Sequence, residues 1–372
     1  MRVLMISKAC IVGIYQRKLE YIAQQNVDLL CVVPPSWKDE RGETPLERAY
    51  TEGYRLETLP IRFNGNFHLH FYAGLGRVLR EFQPHIVHID EEPYNLAAWQ
   101  AMYHARKAEA STLFFSWQNL NRRYPPPFGW GEGWMLDNVD YALVGTESAG
   151  DIWREKGYDG PMTTIPQFGT DPDLFYPAET EPQRPFTFGY IGRLVEEKGV
   201  KLLVEAFARL PGEPHLHFLG SGPLRDDLER LAQHHNVHER VTFTAWVNSV
   251  EMPPYYHQLD VMVLPSLTRP NWKEQFGRVL VEAMASGVPV VGSDSGAIPD
   301  VVGDGGIIVP ENDVDALAAT LKRLLDDHQL RQRLARQGRQ RVLDHFTHQR
   351  VAAETVRVYR TMLDLDDNSF SL

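Results

Sequence analysis

The chain has 372 residues, 43% of them hydrophobic and 23% charged, which is long for one core and typical of globular proteins, so two domains are predicted and a disordered chain is excluded. A formal net charge of −11 argues against a general nucleic-acid or polyanion binder, because such surfaces need clustered Lys and Arg to displace counterions. Cys10 and Cys31 are the only cysteines, too few for a disulfide framework, and a reduced, cytoplasmic setting is expected.

The opening "MRVLMISKACIVG" has only a short apolar run before Lys8 and lacks the pattern of a signal peptide. No stretch reaches the roughly 18 apolar residues of a membrane span. A soluble protein follows, with peripheral contact at the inner face of a membrane left open. From the first residue, short apolar runs alternate with amphipathic segments: "RVLMIS", "YQRKLEYIAQQ", "VDLLCVV", "PHIVHI", "YNLAAWQAMYHARKAEA", "STLFFSW" and "VDYALVG". That alternation predicts parallel strands with crossover helices on both faces, a doubly wound α/β domain.

Around residues 158–187 prolines and acidic residues crowd together, as in a linker. The alternation then restarts with "FTFGYIG", "KLLVEAFARL", "HLHFLG", "PLRDDLERLAQHH", "VTFTAW", "DVMVLP", "GRVLVEAMASG", "PVVGSD" and "GGIIVP". Three amphipathic helices follow, the last expected to reach back toward the first domain. The predicted division is 1–168, 169–348 and 349–372, with the two α/β domains facing across a cleft.

Ligands of open α/β sheets collect where strand ends lead into helix starts. In "YIGRLVEEKG", Arg193 follows a strand and Lys198 stands at a helix start; cations there join free amides and the dipole's positive end to make an anion site suited to a diphosphate. Solvated surface charge is the alternative. In "HFLGSGPLRDDLERL", Gly220 and Gly222 form a tight turn and Pro223 is expected as the first helical residue. The third glycine of a dinucleotide fingerprint is absent.

In "WKEQFGRVLVEAMASG", Glu274 projects from a loop, Gly277 opens a helix, and Val279, Leu280, Ala283 and Met284 are expected to face inward with Gly287 as C-cap. Glu282 lies about one and a half turns inside that helix. Ionised carboxylates accept hydrogen bonds, and sugar hydroxyls are suited to donate them. Glu282 therefore reads as a ribose ligand and Glu274 as a sugar ligand, with a buried salt-bridge partner the alternative for Glu282.

With these loops in this order, the chain resembles the retaining GT-B glycosyltransferases of family 4, the glycosyl transferases group 1. The resemblance runs through "IPQFGTDPDLFYP", "GRLVEEKG", "LGSGPLRDDLERLA", "RVTFTAWV", "DVMVLPSLTRPNWKEQFGRVLVEAMASGVPVVGSDSGAIPDVV" and "DGGIIVPENDVDALA", essentially all of the second domain and the linker. It implies two Rossmann-like domains: a C-terminal one for a UDP-, GDP- or ADP-sugar and an N-terminal one for a sugar or lipid-linked acceptor, as in polysaccharide or glycoconjugate synthesis. By position, Arg193 and Lys198 match the diphosphate-binding pair, Glu274 the glutamate beside the donor sugar, and Glu282 the ribose-binding glutamate. Phe276 and Gly277 match the helix-start amides near phosphate, Val250 is placed beside the base, and Gly13 near the donor phosphate. Glu274, Arg193 and Lys198 are the implied catalytic residues.

No cofactor is implied, and no metal, since front-face attack lets the departing phosphate oxygen take the acceptor proton. The first domain departs from the family. "SKACIVG" offers only Gly13 where relatives carry a glycine pair, and Trp117, Gln118 and Asn119 stand where many carry a histidine. His88 reads as structural or acceptor-side. A nucleotide-sugar epimerase of the same shape and a nucleotide-sugar-binding protein without turnover are the alternatives.

Overall fold

The structure is a computed structural model and describes residues 1–39, 42–179, 184–245, 247 and 251–365. In the first strand, β1 (Arg2–Ile6), Val3 and Met5 enter one apolar layer while Leu4 and Ile6 enter another, as the two-residue period of a strand buried on both faces requires. Six further strands join it in the main sheet: β2 (Asp28–Val33), β3 (Arg55–Thr58), β4 (Ile86–Ile89), β5 (Ser111–Ser116), β6 (Tyr141–Val144) and β7 (Met162–Thr164). Among the described residues they form one parallel sheet in the order β7-β6-β5-β4-β1-β2-β3.

The second sheet is built from β8 (Thr187–Ile191), β9 (His215–Leu219), β10 (Val241–Thr244), β11 (Val261–Leu264), β12 (Val290–Ser293) and β13 (Gly306–Val309). All of its pairs are parallel, in the order β10-β9-β8-β11-β12-β13. Each sheet thus sets its first strand beside its fourth, and the chain runs outward in opposite directions from that seam. Such a reversal opens a crevice at the carboxyl ends of the two central strands. The crevices lie at β1/β4 and β8/β11.

Residues 1–169 and the segment from His348 onward make one compact unit, and residues 170–347 make another. The helix His348–Met362 lies on Arg17–Ala23 and gives Val351, Val356 and Tyr359 to the first unit's core. Asn95 and Thr146 cap helices of the first unit, and Asp313 and Asp327 cap helices of the second, each accepting a bond from an amide three residues on, which satisfies one orphan donor at each start. Among the described residues no helix is long and apolar enough to cross a membrane.

Two elements differ from the sequence reading, and a third lies in a stretch to which that reading gave no element. The stretch read as linker holds β7 and the start of the second unit. Helix Phe128–Leu136, "FGWGEGWML", forms against propensity, because a Cβ at Gly131 would stand 2.1 Å from the Trp99 ring, so only glycine lets that helix lie so close. Pro223 precedes its helix, which starts at Arg225; Leu224 instead donates its amide to Leu194 O at 3.1 Å, and this ties the turn to the loop after β8.

That tie belongs to a set of glycine contacts at the carboxyl ends of the second sheet. A Cβ on Gly220 would stand 1.9 Å from Gly192 O, and one on Gly199 (φ +64) 1.9 Å from Pro265 O. Gly199→Ala combines left-handed strain with a backbone clash and is expected to lower the unfolding free energy by roughly 2–4 kcal/mol, read as a fall in the urea midpoint of the second unit's transition.

Candidate functional site

The crevice of the second unit gathers three loops. The loop after β8 carries exposed Arg193 and half-buried Lys198. The loop after β11 carries Ser266, Trp272 and Glu274. The loop after β12 holds the main chain at Glu274: Ala297 N donates to Glu274 O at 3.1 Å, and a Cβ on Gly296 would stand 2.1 Å from that oxygen. Glu274 is 7% exposed. Its Oε2 accepts from Lys198 Nζ at 2.6 Å and from Ser266 Oγ at 2.8 Å, and Lys198 Nζ also lies 5.0 Å from the centre of the Trp272 ring. A buried carboxylate needs such partners. The structure therefore joins Lys198 to Glu274 directly. An ammonium carries three donors, so the pair leaves Lys198 with further donors to offer.

Gly277 begins the next helix, Arg278–Ala285, in a left-handed conformation with φ +75, and no side chain caps it. The turn closes through the main chain, Leu280 N donating to Gly277 O at 2.8 Å, and the start of such a helix favours an anion. Phe276 is half-buried, with its ring 5.8 Å from that of Phe346. Val279 is only partly buried, while Leu280 through Ser286 are all buried, since the helix lies between the sheet and helix His328–His345. Glu282 is consequently enclosed at 4% exposure. It accepts from Tyr256 OH at 2.6 Å and pairs with Arg278 Nε at 3.1 Å. The alternative reading of Glu282, a buried ion-pair partner, describes its present contacts.

Gly13 belongs to the first unit, and its amide donates to Glu47 Oε2 at 2.7 Å. A Cβ there would stand 2.8 Å from that of Ala49, so packing alone accounts for the glycine. Val250 lies outside the described residues. His88 is buried, with Nδ1 2.6 Å from Tyr359 OH, and burial, then the charge of Lys18, holds its imidazole well below the usual value. It anchors the final helix.

The crevice of the first unit holds a polar cluster that the sequence reading missed. Asp90, Glu91 and Glu92 follow β4 directly. Ser7 Oγ and Gln167 Nε2 donate to Asp90, the latter at 2.8 Å. Glu91 takes Lys8 as ion-pair partner and accepts from Tyr72 OH at 3.2 Å and Asn95 Nδ2 at 3.1 Å, with His70 Nε2 at 3.4 Å. Burial would raise its carboxyl, but Lys8 and His70 outweigh burial and hold it at about 2.

Glu92 is half-buried and accepts from Ser116 Oγ at 2.6 Å and the Trp117 amide at 2.9 Å. Burial nevertheless pushes it up to about 7. The legible signal was three acids at a strand's carboxyl end beside the seam. Trp117, one of the three residues found where the resemblance led us to expect a histidine, donates Nε1–H to Gln167 Oε1 at 2.8 Å, and its ring fills the space where a Cβ on Gly145 would sit, 2.0 Å away. Among the described residues, no group of three or more His, Cys, Asp or Glu side chains could hold a metal ion.

Comparison with known proteins agrees with this layout. The family pattern "Glycosyl transferases group 1" matches residues 174–341, and "Glycosyl transferase 4-like domain" matches residues 19–167. The chain belongs to the group 1 glycosyltransferases of GT-B fold. It is 34% identical over 236 residues to the glycogen synthase of Mycobacterium tuberculosis, a stretch covering 61% of this chain and 56% of that one. The chain spans about half the length of the curated relatives it matches.

Two solved structures have the same fold. Sucrose-phosphate synthase from Thermosynechococcus elongatus superposes with a TM-score of 0.73 at 22% identity, covering 98% of this chain and 99% of that one. Anabaena HepE, solved in complex with UDP and glucose, has a TM-score of 0.68 at 16% identity, covering 97% and 100%.

A carboxyl at about 7 in the folded chain, against an ordinary 4.5, favours the protonated form, so its contribution to stability is whole below about pH 4.5 and is lost as pH rises through 7. Glutamine cannot ionise. Glu92→Gln and wild type should therefore melt alike near pH 4.5, while at about pH 8 Glu92→Gln should melt several degrees higher; thermal unfolding across this range reads the difference. Glu91 contributes the same in both proteins and cancels.

Proposed function

We propose that the protein is a hexosyltransferase that moves a sugar, with retention of its anomeric configuration, from a nucleotide-diphosphate sugar to a hydroxyl acceptor. The observation that carries this reading is the Lys198–Glu274 pair at 2.6 Å, set beside an uncapped helix start and Arg193. Glycosyl transfer builds positive charge on the sugar and negative charge on the departing diphosphate. A buried carboxylate tied to an ammonium presents one group suited to each charge.

In this mechanism Arg193, Lys198 and the first amides of helix Arg278–Ala285 hold the diphosphate and stabilise it as it leaves. Glu274 orients the sugar through its hydroxyls and offsets the positive charge at its anomeric carbon. Glu282 takes the ribose hydroxyls by exchanging its present Arg278 or Tyr256 contact for them. The departing phosphate oxygen accepts the proton of the attacking hydroxyl, so neither a protein base nor a metal is needed. The acceptor is received at the carboxyl ends of β1, β4 and β5, where Glu92 supplies a hydroxyl-binding carboxylate. The glycogen synthase and HepE likenesses support a nucleotide-sugar donor, with UDP-, GDP- and ADP-sugars as the candidates.

The test is a panel of these donors with and without glycan and lipid-linked acceptors, following nucleotide release and product configuration. Acceptor-dependent release with retention is expected, persisting in excess EDTA. Arg193→Ala and Lys198→Ala are each expected to lower kcat by roughly 10²- to 10³-fold while the proteins still unfold cooperatively. Turnover untouched by the double substitution would overturn the reading, as would sugar isomerisation without acceptor.

A further inference from the structure

At the opposite end of the first sheet, where its central strands begin, lies a cavity of about 830 Å³. This is within the range of small-molecule sites. Its wall is unusual for a chain of net charge −11: Arg2, Arg80, His85, His104 and Lys107 line it, and Glu109 is the single acid among the described residues of the lining. We propose that this cavity is a binding site for a small soluble phosphate compound, such as a phosphate ester or a diphosphate, separate from both crevices.

The elements hold these groups in place. Arg2 opens β1, and its Nε donates to Gln83 O at 2.7 Å, which fixes the guanidinium while leaving its terminal nitrogens available. The Arg2 amide donates to His85 Nδ1 at 3.1 Å, so the neutral His85 ring carries its proton on Nε2 and offers a donor. His104 packs against Gly76, where a Cβ would stand 2.4 Å from the ring. That glycine allows the imidazole to approach helix Leu75–Phe82 closely.

Arg80 and Lys107 are exposed and make no ion pair among the described residues. Lys107 Nζ instead sits 4.5 Å from the centre of the Tyr103 ring. Arg80, His104 and Lys107 line the same cavity, and burial, then the charges of Lys107 and Arg80, hold His104 below its ordinary value. Like charges held together with so little carboxylate nearby are relieved by an anion, and a phosphate accepts from guanidinium, ammonium and imidazole donors alike.

Pyrophosphate is the probe, added to the full chain at constant ionic strength while the imidazole NMR signals of His85 and His104 are followed. Both are expected to shift saturably. Arg80→Ser/Lys107→Ser should weaken the midpoint roughly tenfold or more, whereas Arg193→Ala/Lys198→Ala should leave it in place, which separates this site from the donor site. Because Arg80 and Lys107 are exposed, the double variant is expected to keep its fold, checked by circular dichroism. The proposal is overturned if neither signal shifts saturably up to about 10 mM, if the midpoint is unchanged without Arg80 and Lys107, or if the shift disappears with Arg193 and Lys198.

Discussion

Close approach of main chain to main chain at the carboxyl ends of the second sheet is the constraint on which the donor-side chemistry rests. Gly220 lies on Gly192 O, Gly199 on Pro265 O, and Gly296 on Glu274 O, so the loops after β8, β9, β11 and β12 form one continuous layer. Any side chain at these points would prise the loops apart. Lys198 and Glu274 lie 76 residues apart in sequence and meet because that layer is thin. The ion pair is thus a product of backbone packing, and Ser266 and Trp272 then hold its two ends.

The two units treat buried charge differently. In the second unit each buried carboxylate has a cation and a hydroxyl: Glu274 has Lys198 and Ser266, and Glu282 has Arg278 and Tyr256. In the first unit three successive acids share a smaller supply of positive charge. Glu91 has taken Lys8, while Glu92 relies on neutral donors and resists ionisation. Environment thus divides adjacent glutamates into one firmly ionised and one poised near neutrality, and the seam between β1 and β4 gathers both.

Much of this was legible in the sequence. Apolar runs separated by helix-length segments announced both sheets, since strands buried on both faces leave that pattern whatever their neighbours are. Arg193, Lys198, Glu274 and Gly277 could be named because strand-to-helix loops leave a local signature. The Lys198–Glu274 pairing was not legible, for it depends on which strands become neighbours. Helix Phe128–Leu136 was hidden because its Gly131 answers to Trp99, which belongs to another element. Asp90, Glu91 and Glu92 were passed over because an acidic run reads as solvated surface until the strand order places it at the seam. Glu282 carried two readings that spacing could not separate, and its present partners, Tyr256 and Arg278, come one from elsewhere in the chain and one from its own helix.

The helix His348–Met362 gives the first unit a discontinuous chain. Val351, Ala352, Val356, Val358 and Tyr359 close an apolar layer whose other buried members lie between Val3 and Ile165, so during synthesis that layer stays open while the whole of the second unit is being made. The contiguous unit can finish folding as it emerges from the ribosome, and the earlier one must wait. Vectorial synthesis and order of completion therefore run in opposite directions here, and a nascent chain stalled before Val351 would present the flank of β1 and β2 to chaperones.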